Sequence, residues 1–84
     1  MQNIGWEIKE GRLERLFTFT DFAQALAFVN RVGRVAEEIN HHPDIHLVNY
    51  NKVLISTSTH DAGKVTQKDY DLANKIDQKI SSTE

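Results

Sequence analysis

Four histidines stand in the chain, His41, His42, His46 and His60, and three of them fall within six residues. An imidazole titrates near 6.5 by default, so one ring can give a proton while another takes one at neutral pH. The chain has no cysteine. That removes thiolate catalysis, disulfides and cysteine-held metals together. No serine triad pattern accompanies the histidines, so the cluster points to proton transfer rather than covalent catalysis. His41 and His42 are followed by Pro43, which stiffens the turn behind them. Glu37 lies four residues before His41 and Glu38 four before His42, and either carboxylate could orient a ring. His60 closes the last expected strand. If that strand returns beside the one following His42, His60 approaches the His41-His42 turn.

Plainer readings stand beside this one. A histidine at a helix end also serves as a cap or a surface residue. His46, in the middle of an expected strand, reads as structural or exposed. Three histidines with an open position would suit zinc. However, the spacing is not HExxH, and adjacent histidines in a turn rarely both reach one ion, so the expected site holds no metal. Asp69 is fully explained as a helix cap, while a seat near His60 would give it an orienting role. Trp6, Phe17, Phe19, Tyr50 and Tyr70 either line a planar ligand or fill the core, with core the stronger reading for the phenylalanines. Arg12 and Arg15, with Arg31 and Arg34, make a local positive region or a solvated face. No glycine-rich phosphate loop or dinucleotide fingerprint is present.

These residues need a scaffold, and 84 residues of 9.6 kDa supply one domain, taken as residues 1–84. Ten basic against twelve acidic residues leave a net charge of −2. That gives no field for direct nucleic-acid or anionic-membrane binding. The apolar runs are too short to span a bilayer. The start, Met1 to Glu7, lacks a signal-peptide pattern, and a cytoplasmic protein is expected. A chain this short hides only about 60% of its unfolded surface. Without disulfides it needs a well-made core, a metal or a subunit partner.

The elements follow from periodicity. Trp6 to Lys9 alternates, Glu10-Gly11 turns, and Leu13 to Thr20 is rich in strand formers, which together predict a hairpin. From Asp21 to Ile39 the spacing becomes helical, with Thr20 or Asp21 as N-cap and Gln24 completing the box. One apolar row runs Phe22, Leu26, Val29, Val32, Ala36, and a second runs Phe28, Val32, Val35, Ile39. The combined face is wide enough to cover a sheet and meet another subunit. Gly33 in mid-helix costs about 1 kcal/mol against alanine, and close approach across a packing seam is one reason for it. The helix must stop near Asn40, because Pro43 restricts the residue before it. Ile45 to Tyr50 and Val53 to Thr59 read as strands around Asn51-Lys52. Thr66 opens a second helix, with Asp69 three residues on as an acidic capping box and Leu72, Ala73, Ile76 and Ile80 as its stripe. Ser81 to Glu84 reads as a frayed tail. The expected fold is α+β, in the order β-β-α-β-β-α: a four-stranded antiparallel sheet with two helices packed on one face.

Glu37-Glu38-Ile39-Asn40-His41-His42-Pro43, Tyr50-Asn51-Lys52-Val53, Ser58-Thr59-His60-Asp61-Ala62-Gly63 and Thr66-Gln67-Lys68-Asp69 together closely resemble the pterin-4a-carbinolamine dehydratases. That family is also known as a dimerisation cofactor of a homeodomain transcription factor. The similarity runs from Gly5-Trp6 to the last helix and implies the same α+β fold. It implies that His41, His42 and His60 surround a pterin, with Pro43, Thr59 and Asp61 at the ligand edge and Glu37 and Asp69 orienting. The implied reaction is dehydration of 4a-hydroxytetrahydrobiopterin to the quinonoid dihydropterin, with the pterin as substrate and no cofactor. Homodimers or homotetramers are implied as well. Two other functions are open: a non-catalytic dimerisation or coactivator module working through the Phe28, Val32, Val35 face, and a dehydratase-like protein for another pterin, such as a molybdenum cofactor form. Two departures from the family pattern stand out. Only four residues precede Gly5, where relatives carry a leading segment. The stretch from Pro43 to Tyr50 is one residue longer than in the animal proteins and holds His46.

Overall fold

A computed structural model describes residues 5–82. The stretch ahead of Gly5 and the last two residues of the tail lie outside the described residues. The elements are β1 (Glu7–Lys9), β2 (Arg12–Thr18), α1 (Phe22–Ile39), β3 (Asp44–Val48), β4 (Lys52–Thr57), a short 3-10 turn (His60–Ala62) and α2 (Gln67–Ser82). The sheet is antiparallel in the order β1-β2-β4-β3. Both helices pack on one of its faces, as expected from the order of periodicities.

Local chemistry sets the joints. Glu10 and Gly11 both take positive φ, at 51° and 78°, between the paired residues Lys9 and Arg12. A two-residue hairpin turn of this kind matches the strand twist. Asp21 caps α1 by accepting the Gln24 N–H at 2.9 Å. The other end closes at Asn40, which sits in the left-handed region (φ 55°, ψ 44°), a conformation asparagine tolerates. The N–H groups of Asn40 and His41 both return to the Ala36 carbonyl, a Schellman-type stop. Thr66 caps α2 by accepting the Lys68 N–H, and Asp69 reaches back to the Thr66 N–H, the reciprocal box expected from sequence.

The core joins Leu13, Phe17, Val53 and Ile55 from the sheet to Phe28, Val32 and Val35 from α1 and Leu72 and Ile76 from α2. Fully burying such side chains is worth about 1.5–3 kcal/mol each before entropy is counted. Phe17 packs at a tilt against Phe28, and Phe19 packs against the same ring, so Phe17 and Phe19 serve the core. Trp6 donates to Asp77 on α2, and Arg15 bonds the same carboxylate while lying over Phe17. Across the opposite sheet face Arg12 binds Ser56, Ser58 and Asp44. Two of the arginines read as a positive region are thus committed to structural contacts.

Several expectations need correcting. The row Phe28, Val32, Val35 is internal, so it cannot serve as a docking face. The exposed row is Phe22 and Leu26, at 51% and 44% exposure. A Cβ on Gly33 would meet open space, so no seam within the chain requires the glycine. The β3–β4 turn falls at residues 49–51, with Asn49 and Tyr50 at positive φ. Tyr50 is therefore an exposed turn residue rather than core or strand. β4 ends at Thr57, two residues early, because Thr59 pairs with Lys64 in a loop bridge. Ser81 and Ser82 continue α2 rather than fraying. His46 is exposed on β3, opposite Leu54.

Candidate active site

Asp69 is the centre of the arrangement. It lies in the first turn of α2, and its side chain is 0% exposed. Its Oδ1 receives the Thr57 hydroxyl at 2.7 Å and faces His41 Nε2 at 2.7 Å. Its Oδ2 receives the Thr59 hydroxyl and the Thr66 N–H, both at 2.8 Å. The contacts come from the ends of β4, α1 and α2 at once, so a helix-capping carboxylate also staples the site segments together.

The proton positions follow from donor and acceptor counts. Thr59 spends its hydroxyl proton on Asp69, so at the 2.6 Å Thr59–Thr66 contact the Thr66 hydroxyl donates. An ionised Asp69 only accepts, so His41 must carry its proton on Nε2. Neutral His41 is then the Nε2–H tautomer, with Nδ1 left as the ring's proton acceptor. Burial pushes the Asp69 carboxyl up. The Thr57 hydroxyl, the Thr66 N–H, His41 and the Thr59 hydroxyl together outweigh that push and hold it below the ordinary carboxylate value. Asp69 is therefore a fixed negative charge beside an imidazole 13% exposed.

His42 takes a different course. The left-handed residue Asn40 breaks the helical register, so the expected four-residue pairings do not form. Instead His42 Nε2 meets Glu37 Oε2 at 2.5 Å, five residues back. This pair is open to solvent, with the two side chains 57% and 77% exposed. His41 lines a hollow of about 500 Å³ between the end of α1 and α2, shared with Asn40, Lys68, Asn74 and Lys75. His42, Glu37 and Pro43 line a second, open groove of about 720 Å³ along α1. Both volumes fall in the range of small-molecule sites.

The structure thus brings together His41, Thr59 and Asp69, and separately His42, Glu37 and Pro43. His60 and Asp61 stand exposed in the 3-10 turn directly after Thr59. Of these two hollows, His41 lines one and His42 the other. His60 does not line either hollow. Thr57 and Thr66 were missed as site residues. Thr57 looked like one more β-branched strand residue, and Thr66 like a cap. The capping spacing of Thr66 and Asp69 was the only signal of their contact. Among the described residues no group of three or more His, Asp or Glu is arranged to hold a metal. No helix among them is long and apolar enough to cross a membrane.

A two-helix layer on a four-stranded antiparallel sheet, with a histidine just past the first helix held by a buried aspartate of the second, defines a small α+β domain. The family model for pterin 4 alpha carbinolamine dehydratase matches residues 1–79, and the chain belongs to that family. A relative of the same family name from Sulfurisphaera tokodaii is 44% identical over 77 residues, covering 92% of this chain and 82% of its own. One from Nostoc punctiforme is 50% identical over 74 residues, covering 88% and 78%. The crystal structure of a transcriptional coactivator/pterin dehydratase from Brucella melitensis superposes with a TM-score of 0.81 at 32% identity, over 88% of this chain and 80% of that one. A pterin dehydratase-like protein described as a RuBisCO assembly factor in the alpha-carboxysome shares the fold, with a TM-score of 0.69 at 23% identity over 87% and 83%.

Proposed function

We propose that the protein dehydrates 4a-hydroxytetrahydrobiopterin, or a close pterin carbinolamine, to the quinonoid dihydropterin. The observation that carries the reading is the His41–Asp69 pair, set in a chain of this family beside the Thr59-His60 loop. In the reaction the C4a–O bond breaks and the hydroxyl leaves as water. It takes a proton from an acid, while a base removes the proton on N5. The N5–H electron pair becomes the new N5=C4a bond. One proton is given and one is taken, so the protein ends as it began once the two groups re-equilibrate.

His41 fits the base or acid role because Asp69 fixes its tautomer and holds the ring in place. His60 is assigned to the reacting centre from the family pattern, as the partner of opposite role. His42, oriented by Glu37, binds the polar edge of the pterin together with Pro43 and Asp61, while Thr59, buried between Asp69 and Thr66, supports the loop that carries His60 and Asp61. Homo-oligomers are part of the reading: exposed Phe22 and Leu26 on α1 are large apolar side chains left without cover in one chain. Sedimentation should then report a small multiple of 9.6 kDa.

The direct test is to generate the carbinolamine chemically and follow its loss in the presence of chelator. Acceleration by catalytic amounts of protein supports the dehydratase reading without a metal. A rate equal to the uncatalysed one contradicts it.

A further inference from the structure

Thr57 occupies a place where strand alternation calls for a hydrocarbon. It follows Val53 and Ile55 on the helix-facing side of β4, lies opposite Leu13 on β2, and is fully buried. Valine would suit both the strand and the packing, and a hydroxyl here is costly unless bonded. Its hydroxyl donates to Asp69 Oδ1, the same oxygen that faces His41 Nε2. The other carboxylate oxygen is held independently, by Thr59 and Thr66. Without Thr57 the only donor left at Oδ1 is the His41 ring itself, so the carboxylate, anchored at Oδ2, can pivot together with the ring. With Thr57, both oxygens are pinned and Oδ1 has one direction left, toward the ring.

We propose that Thr57 is a positioning residue: its hydroxyl locks the Asp69 carboxylate so that Oδ1 holds the Nε2–H of His41 and with it the ring. The catalytic consequence rests on the reading that His41 transfers protons. The structural consequence does not. Two variants separate the hydroxyl from the volume. Thr57→Val keeps the bulk and removes the donor, while Thr57→Ser keeps the donor and removes a methyl. Loss of packing would affect the serine variant most, whereas loss of the lock affects only the valine variant.

The experiment is nitrogen-15 NMR of the His41 ring alongside steady-state dehydration kinetics. In the wild type the ring should be a single Nε2–H tautomer with a slowly exchanging proton. In Thr57→Val, exchange of that proton should quicken by about tenfold as the local contact opens. kcat should fall by about tenfold with KM little changed, since a small misplacement acts on the chemical step. Thr57→Ser should restore both toward wild type. If Thr57→Val does not fold, Thr57→Ala against Thr57→Ser gives the same contrast. An unchanged Nε2–H in the variant lacking the hydroxyl overturns the proposal, whatever happens to kcat. If the wild type shows no dehydration, the enzyme reading fails, and the ring proton alone still decides the role of Thr57.

Discussion

His41 Nε2 and Asp69 Oδ1 lie 2.7 Å apart although 28 residues separate them in the chain. His41 directly follows the Asn40 cap of the first helix, and Asp69 lies in the first turn of the second. The capping function of Asp69 is therefore inseparable from its hold on the ring. A change there acts on fold and chemistry together.

Asp69→Asn should show this coupling. The amide presents one oxygen and one NH2 where two acceptor oxygens served four donors, so buried donors lose their partners. The expected cost is about 1–3 kcal/mol, read as a lower urea midpoint. Turnover should drop more than that loss explains under conditions where the variant is still folded. A variant of wild-type stability would show that the carboxylate's bonds do not matter to the fold.

The pH dependence has a defined sign. Asp69 titrates lower in the folded chain than when unfolded. The unfolded state therefore binds the proton first, and the stabilisation is complete above the ordinary aspartate value of about 4. It is lost as pH falls from there through the folded value. Urea midpoints measured from pH 6 to pH 2 should decline on that limb, and less steeply in Asp69→Asn. Equal slopes in both proteins would remove Asp69 from the acid response.

Gly33→Ala should stabilise the protein. The residue lies within α1, outside the positive-φ region, and an added Cβ meets nothing within 4 Å. Alanine then recovers about 0.5–1 kcal/mol of helix propensity and unfolded-state entropy. Thermal unfolding of dilute protein measures it. A destabilised variant would place another body against that helix face.

How much was legible in the sequence depended on the range of the interaction. The Glu10-Gly11 turn, the Asp21 cap and the Thr66–Asp69 box are local, and residue type and spacing specify each. The Asp69–His41 bond is long-range, and nothing in either neighbourhood announces it. Glu37 rather than Glu38 meets a histidine, and the histidine is His42, because a single left-handed residue at Asn40 shifts the register that helical counting assumes. Which of two adjacent apolar rows on α1 faces the core was likewise undecided by periodicity. The sheet and the second helix chose Phe28, Val32 and Val35. β4 stopped short because Thr59 commits its hydroxyl to Asp69 and its backbone to Lys64, which no strand propensity encodes.

The most direct test of the central claim is single-turnover dehydration of the 4a-carbinolamine by the wild type and by His41→Ala, with circular dichroism confirming that both are folded. The account predicts that the wild type greatly accelerates water loss and that removing the ring lowers the rate constant by about 10²-fold or more. Wild-type speed in His41→Ala would contradict it, since the ring that Asp69 holds would then have no part in moving the proton.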